Sequence, residues 1–310
     1  MVAQHSLLLF GGAATAVAMA LAAHALRQQL LSEAATALGI LGTRPVTILF
    51  GDSITQHSFE DGGWGAFLAD LLSRRSDVIN RGFGGYNTRW ARHLLPSLFP
   101  DSLQGQQYLL ITLWFGANDA AAPSELAHVP LDEFTDNMRH ILRHLQRAAK
   151  HVIVLTPPPV HGPTRLAFQR QKYGDKASGV LERTTEQAEA YAKAAVAVAA
   201  ECSAPVLDVH RLMRSEADWP RFVGGPGAEM QGDGLHLSRE GQLFVGRALG
   251  ELVSDVMGVR PLLDARSPQE RIAAQVESLP IELPPGAKMD RDHFARSIAE
   301  HRARVYTKGL

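Results

Sequence analysis

The chain has 310 residues, 45% of them hydrophobic, with 31 basic and 32 acidic side chains and a net charge of -1. That balance suits a globular protein with one sizeable domain plus extensions, and it supplies no basic field with which to hold nucleic acid. The single cysteine, Cys202, excludes an intrachain disulfide, and no CxxC or HExxH spacing announces a zinc site.

In chain order, residues 1–26 contain no Asp, Glu, Lys or Arg. An apolar run over residues 6–26 is long enough to cross a bilayer, which takes ~20 residues. Membrane association through residues 6–26 is the favoured reading. Arg27 and Arg44 follow the run, a placement that keeps the main domain cytoplasmic. A cleaved signal peptide, with Ala23-His24-Ala25 as its small-residue site, is an alternative, although the basic segment that should precede it is missing. A packed or loosely attached helix in a cytoplasmic or secreted protein is a third reading.

Residues 46–50 read as a first strand. Trp64, Phe67, Leu68, Leu71 and Leu72 then recur at helical spacing. Residues 77–80 read as a second strand and residues 108–114, apolar nearly throughout, as a third that is covered on both faces. Phe134, Met138, Ile141, Leu142 and Leu145 line an amphipathic helix. Residues 152–155 form a fourth strand, ended by Pro157-Pro158-Pro159. A helix over about 181–200, a fifth strand over 206–209 and a last helix capped by Ser238 complete the core. This alternation predicts an α/β three-layer sandwich with a five-stranded parallel sheet. Residues 1–44 form an N-terminal segment and linker, residues 45–258 the main domain, and residues 259–310 a proline-punctuated C-terminal extension.

In such sheets functional residues lie just beyond the carboxyl ends of strands. Four stretches there or near the end of the core carry polar chemistry: Gly51-Asp52-Ser53, "NRGFGGYNT" at 80–88, "FGANDA" at 115–120 and "GDGLHLS" at 232–238. Ser53 is either the polar cap of the next helix or a nucleophile at a helix N-terminus, where negative charge is favoured. Gly84 and Gly85 allow close backbone approach and a donor N–H. The Asn118 amide is a further donor. His236 can serve as base, with Asp233 three residues earlier to orient it; His57 and His210 are competing histidines. Phe83, Trp114, Phe115 and Leu235 flank these stretches as candidate apolar pocket residues. Thr55 stands where a G-x-S-x-G elbow would need glycine, which disfavours the α/β-hydrolase fold.

"FGDSIT", "NRGFGGYNT", "GAND" and "DGLH", in that order, resemble the signature blocks of the SGNH hydrolases of the GDSL esterase/lipase superfamily. "GGWGAFLADLL", "RGFGGYNTRWA", "HVPLDEFTDNMRHI" and "DGLHLSREGQ" are similar, more narrowly, to the isoamyl acetate-hydrolysing esterase branch and its plant relatives. The likeness runs from about residue 46 to 257. It implies a flavodoxin-like fold and a serine ester hydrolase for small carboxylic, especially acetate, esters. The triad it implies is Ser53, Asp233 and His236. The oxyanion hole is Ser53 and Gly85, with Gly84 as the adjacent alternative, and Asn118. No metal or cofactor is implied. Two readings share this site, an acyltransferase and an esterase for lysophospholipids or O-acylated carbohydrates; a non-catalytic binding protein on the same fold is a third. Oligomeric state is not legible.

Overall fold

The computed structural model describes residues 44–73, 75–100 and 108–257. The expectations for residues 6–26 and 259–310 lie outside the described residues. The chain divides into two units, Met1–Arg44 and Pro45–Leu310, and the account below concerns the second. Among the described residues no helix is long and apolar enough to cross a membrane.

Five strands form one sheet: β1 (Val46–Gly51), β2 (Asp77–Gly82), β3 (Tyr108–Trp114), β4 (Ala149–Leu155) and β5 (Val206–Leu207). Their order is β2-β1-β3-β4-β5, and every neighbouring pair is parallel. Side chains alternate across the sheet with a period of two. Ile48, Phe50, Ile111, Leu113, Val152 and Val154 face one hydrophobic layer. Leu49, Leu110, Trp114, Ile153 and Leu155 face the other. Both faces are covered, so β1 and β3 are apolar but for Thr47 and Thr112.

The first layer is closed by α3 (Thr88–Leu98), α4 (Leu131–Ala148) and α6 (Thr185–Glu201), once α1 (Ser53–Gln56) and α2 (Trp64–Leu71) have followed β1. The second is closed by α2 and by α8 (Arg239–Val256), which follows the short helices α5 (Gly162–Tyr173) and α7 (Val209–Arg214). Ser238 caps α8, accepting a hydrogen bond from the Gly241 N–H at 3.1 Å.

The second strand runs on to Gly82 and the fourth starts at Ala149, beyond the expected 77–80 and 152–155, and three further differences have a local cause. The fifth strand stops at Leu207, because the Asp208 side chain accepts from the Arg211 N–H and starts α7 at Val209. The helix expected from about 181 begins at Thr185, where Thr184 and Gln187 form a reciprocal capping box. Helix α3 has no counterpart in the sequence reading. Asn87 caps it through Trp90, and Pro96 lies inside it, a residue that ordinarily argues against a helix interior.

Packing is tightest at the carboxyl end of the sheet's first two strands. A Cβ added to Gly82 would lie 2.0 Å from the Gln56 backbone nitrogen. No side chain fits between β2 and α1. Gly82→Ala is therefore expected to destabilise the fold by about 1–3 kcal/mol through overpacking, read as a Tm loss of several degrees in a thermal melt.

Candidate active site

Strand order reverses at β1, between β2 and β3, and in such sheets the site region lies beyond the carboxyl ends there. Ser53 enters it as the first residue of α1. The cap of that helix is Asp52, whose Oδ1 accepts from the Ile54 N–H at 2.9 Å. The Ser53 hydroxyl is thus not used as a cap. It lies 2.8 Å from Nε2 of His236, 183 residues further along the chain. His236 Nδ1 lies 2.8 Å from Oδ2 of Asp233. Asp233 Oδ1 accepts the backbone N–H groups of Leu235 at 3.0 Å and His236 at 2.8 Å.

Burial works against a charge on Asp233. The His236 ring and the two backbone donors outweigh it and hold the carboxyl well below the usual carboxylate range. An ionised Asp233 can only accept, so the ring proton sits on Nδ1 and the Nε2 lone pair faces the Ser53 hydroxyl. The arrangement can draw a proton from Ser53 and stabilise the resulting imidazolium.

Asn118 follows β3 and is 6% exposed. Its Nδ2 donates to the Tyr86 carbonyl at 2.9 Å, leaving one amide hydrogen over. The Gly84 N–H is taken by the Gln56 side chain at 2.8 Å. Gly85 has φ +79°, and a Cβ there would meet nothing within 4 Å. Neither competing histidine joins the chain of contacts from Ser53 to Asp233. His57 pairs with Glu60 at 2.6 Å and sets its ring edge-on to His236, centroids 5.6 Å apart. His210 is buried within α7.

The expected apolar pocket needs correction. Trp114 and Phe115 are fully buried and Leu235 is 5% exposed. Trp114 packs on Trp64 and donates to the Thr156 carbonyl, while Phe115 packs on Phe50 in the other layer. These three are core residues with little or no surface to offer a ligand. Phe83 alone is half-buried, edge-on to Phe50.

The sequence reading missed three charged side chains that touch the site. Arg165 Nη1 donates to Asp233 Oδ2 at 2.7 Å, Arg183 Nη2 donates to Asn118 Oδ1 at 3.1 Å, and Glu182 pairs with both arginines. Nothing in their local sequence marks them, because ion pairing across a fold has no period. Among the described residues no group of three or more His, Cys, Asp and Glu is placed to hold a metal ion.

Comparison with known proteins gives a consistent set of likenesses. Residues 49–243 match the profile of the GDSL-like lipase/acylhydrolase family. A GDSL esterase/lipase of Arabidopsis thaliana is 42% identical over 203 residues, covering 64% of this chain and 81% of the relative. A Bos taurus homologue of isoamyl acetate-hydrolyzing esterase 1 is 40% identical over 225 residues, covering 71% of this chain and 85% of the relative. Among solved structures, the lipase/acylhydrolase of Enterococcus faecalis superposes with a TM-score of 0.51 at 23% identity, covering 70% of this chain and 97% of that one. At that identity the likeness speaks to the fold.

Two buried acids lie beneath these residues. Asp119 accepts the Thr88 N–H at 2.9 Å and the Thr88 hydroxyl on one oxygen; its other oxygen, like Asp52 Oδ2, has no hydrogen-bond partner. Burial, with the Asp52 charge adding to it, pushes Asp119 up to about 7, and burial pushes Asp52 up to about 6. Unfolded, each ionises near 3.8. The folded state therefore holds protons that the unfolded chain has released. The two acids' contribution to stability falls as pH rises from about 4 to about 7 and then levels. An amide at Asp119 removes that residue's share of the slope, whatever fixed cost its NH2 brings. The Tm of Asp119→Asn relative to the parent is thus expected to move in the variant's favour between pH 5 and pH 8; a difference that stays constant across that range contradicts the assignment.

Proposed function

The chain belongs to the GDSL-like lipase/acylhydrolase family and is a carboxylic ester hydrolase, and we propose that Ser53, His236 and Asp233 are its catalytic triad. The observation that carries this reading is the unbroken chain of 2.8 Å contacts from the Ser53 hydroxyl through both ring nitrogens of His236 to Asp233. Ser53 Oγ attacks the ester carbonyl carbon as its proton passes to His236 Nε2. The carbonyl electron pair moves onto oxygen. Collapse of the tetrahedral species expels the alcohol, which takes the proton from Nε2 and leaves acyl-Ser53. Water repeats the sequence, releases the acid and restores the serine. Asp233 keeps the ring in the required tautomer and stabilises its cation.

The oxyanion is held by the N–H groups of Ser53 and Gly85 and by the Asn118 amide. Two facts favour Gly85 over its neighbour: the Gly84 N–H is occupied by Gln56, and the Gly85 N–H has no partner among the described residues. Asn118 has one hydrogen spare after Tyr86 is served.

For the substrate we favour acetate esters of small alcohols. The name of the bovine relative points to isoamyl acetate. The burial of Trp114 and Phe115 agrees, since it leaves Phe83 as the apolar surface of the expected set beside the site and makes for a shallow acyl subsite.

On p-nitrophenyl acetate, Ser53→Ala and His236→Ala are expected to lose turnover on the order of a million-fold, with Asp233→Asn losing less. Asn118→Ala should lose ~100- to 1,000-fold. A fluorophosphonate should label Ser53, and kcat/KM should fall along a panel from acetate to octanoate. Full activity in Ser53→Ala would refute the triad, and a preference for octanoate would refute the small acyl site.

A further inference from the structure

We infer that Glu182, through Arg165 and Arg183, is the positioning residue that ties the triad acid to the oxyanion amide, so that the two halves of the site are held in register by one carboxylate. The inference rests on the esterase reading above and deepens it.

Glu182 precedes α6 and is 13% exposed at its side chain, as are Arg183 and Asp233; Arg165, from α5, is 11% exposed. Charges this deep are not a solvated surface pair. Oε1 of Glu182 accepts Arg165 Nε at 2.6 Å and Arg183 Nη1 at 3.1 Å, and Oε2 accepts Gln169 Nε2. Each arginine then has donors to spare, and a guanidinium can only donate. Arg165 turns Nη1 to Asp233 Oδ2, the oxygen that also receives the His236 ring proton. Arg183 sends Nε to the Ala117 carbonyl at 3.0 Å and Nη2 to Asn118 Oδ1 at 3.1 Å.

The consequence at Asn118 is specific. A donor on Oδ1 fixes which end of the amide is oxygen, so the NH2 must take the other side, towards Tyr86 and the spare position that the oxyanion needs. The cation also draws electron density from the amide and strengthens its N–H as a donor. Burial disfavours the Arg183 cation, and the nearby Glu182 charge acts in its favour. At the other end Arg165 donates to the same Asp233 Oδ2 that faces the His236 ring and restrains the carboxylate. The Glu182 backbone adds to the brace, its carbonyl accepting from the Ala122 N–H at 2.7 Å, just beyond the loop that carries Asn118.

The test is a mutant cycle on p-nitrophenyl acetate. Arg183→Met is expected to lower kcat about 10- to 100-fold, part of the loss for a whole oxyanion donor, with KM changed less than about threefold. In an Asn118→Ala background the same substitution should change kcat by less than about twofold, because its effect runs through the amide. Glu182→Gln should lower kcat at least as far as Arg183→Met, and the two combined should fall short of the product of their separate losses. Should Arg183→Met not fold, Arg183→Lys, which keeps the charge but one donor at most for Asn118, is read in the same cycle and should fall between parent and Asn118→Ala. An undiminished kcat in the folded Arg183 variant, or an equal loss with and without Asn118, overturns the inference. Ser53→Ala separates the two failures: if it retains activity the esterase reading falls, whereas if it is dead while the Arg183 variant is unimpaired the inference alone falls.

Discussion

The site depends on one constraint: α1 begins immediately after β1 ends, in the middle of the sheet, with no room for a longer turn. A Cβ on Gly51 would lie 2.1 Å from Thr55 Oγ1 and 2.5 Å from the Trp114 carbonyl. The Asp52 N–H donates to that carbonyl at 3.2 Å, so the turn is clamped to the end of β3. The glycine loop after β2 hangs from the same point, its Phe83 N–H donating to the Gly51 carbonyl at 2.8 Å. Gln56, at the far end of α1, then takes the Gly84 N–H. Ser53 and the neighbouring backbone donors are thereby positioned by one short helix, whose N-terminus is also where negative charge is least costly.

His236 comes from elsewhere, on a stretch without regular structure between Val223 and Arg239. Backbone bonds replace the missing ladder. The Gly234 N–H donates to Val223 at 3.0 Å, the Gly234 carbonyl accepts from His161 at 2.8 Å, and the Ser238 N–H donates to Phe222 at 2.9 Å. With α8 starting directly after Ser238 and packed into the second hydrophobic layer, His236 is set as firmly as a residue on a strand.

What the sequence made legible follows from which interactions leave a local trace. Strands β1 and β3 are apolar nearly throughout because both faces are covered, and Ser53, Asn118, Asp233 and His236 stand out because each falls in a short polar block at a chain reversal. The same reasoning misplaced Trp114 and Phe115. Their position flanking the site suggested a pocket, but alternation sends one to each core layer. Helix α3 escaped notice because Pro96 interrupts its pattern. The question of whether Ser53 is a cap or a nucleophile posed a false exclusion: Asp52 caps and Ser53 is left free. Arg165, Glu182 and Arg183 were invisible because their partners lie up to 68 residues away and no spacing encodes them.

The polar centre holds its charges in two different ways. Arg165, Glu182, Arg183 and Asp233 are buried but mutually satisfied, each acid facing cationic donors. Asp52 and Asp119 are fully buried with an oxygen apiece left unpartnered. A core selected for stability alone would have neither arrangement, since well-packed apolar residues usually match or exceed a buried ion pair. These buried charges gather around the carboxyl end of the sheet, where Ser53 meets His236; away from it an unpartnered hydroxyl also lies within β3, at Thr112. Buried charge gathered at one edge of a sheet, against the local packing rules, is the pattern expected of a working site.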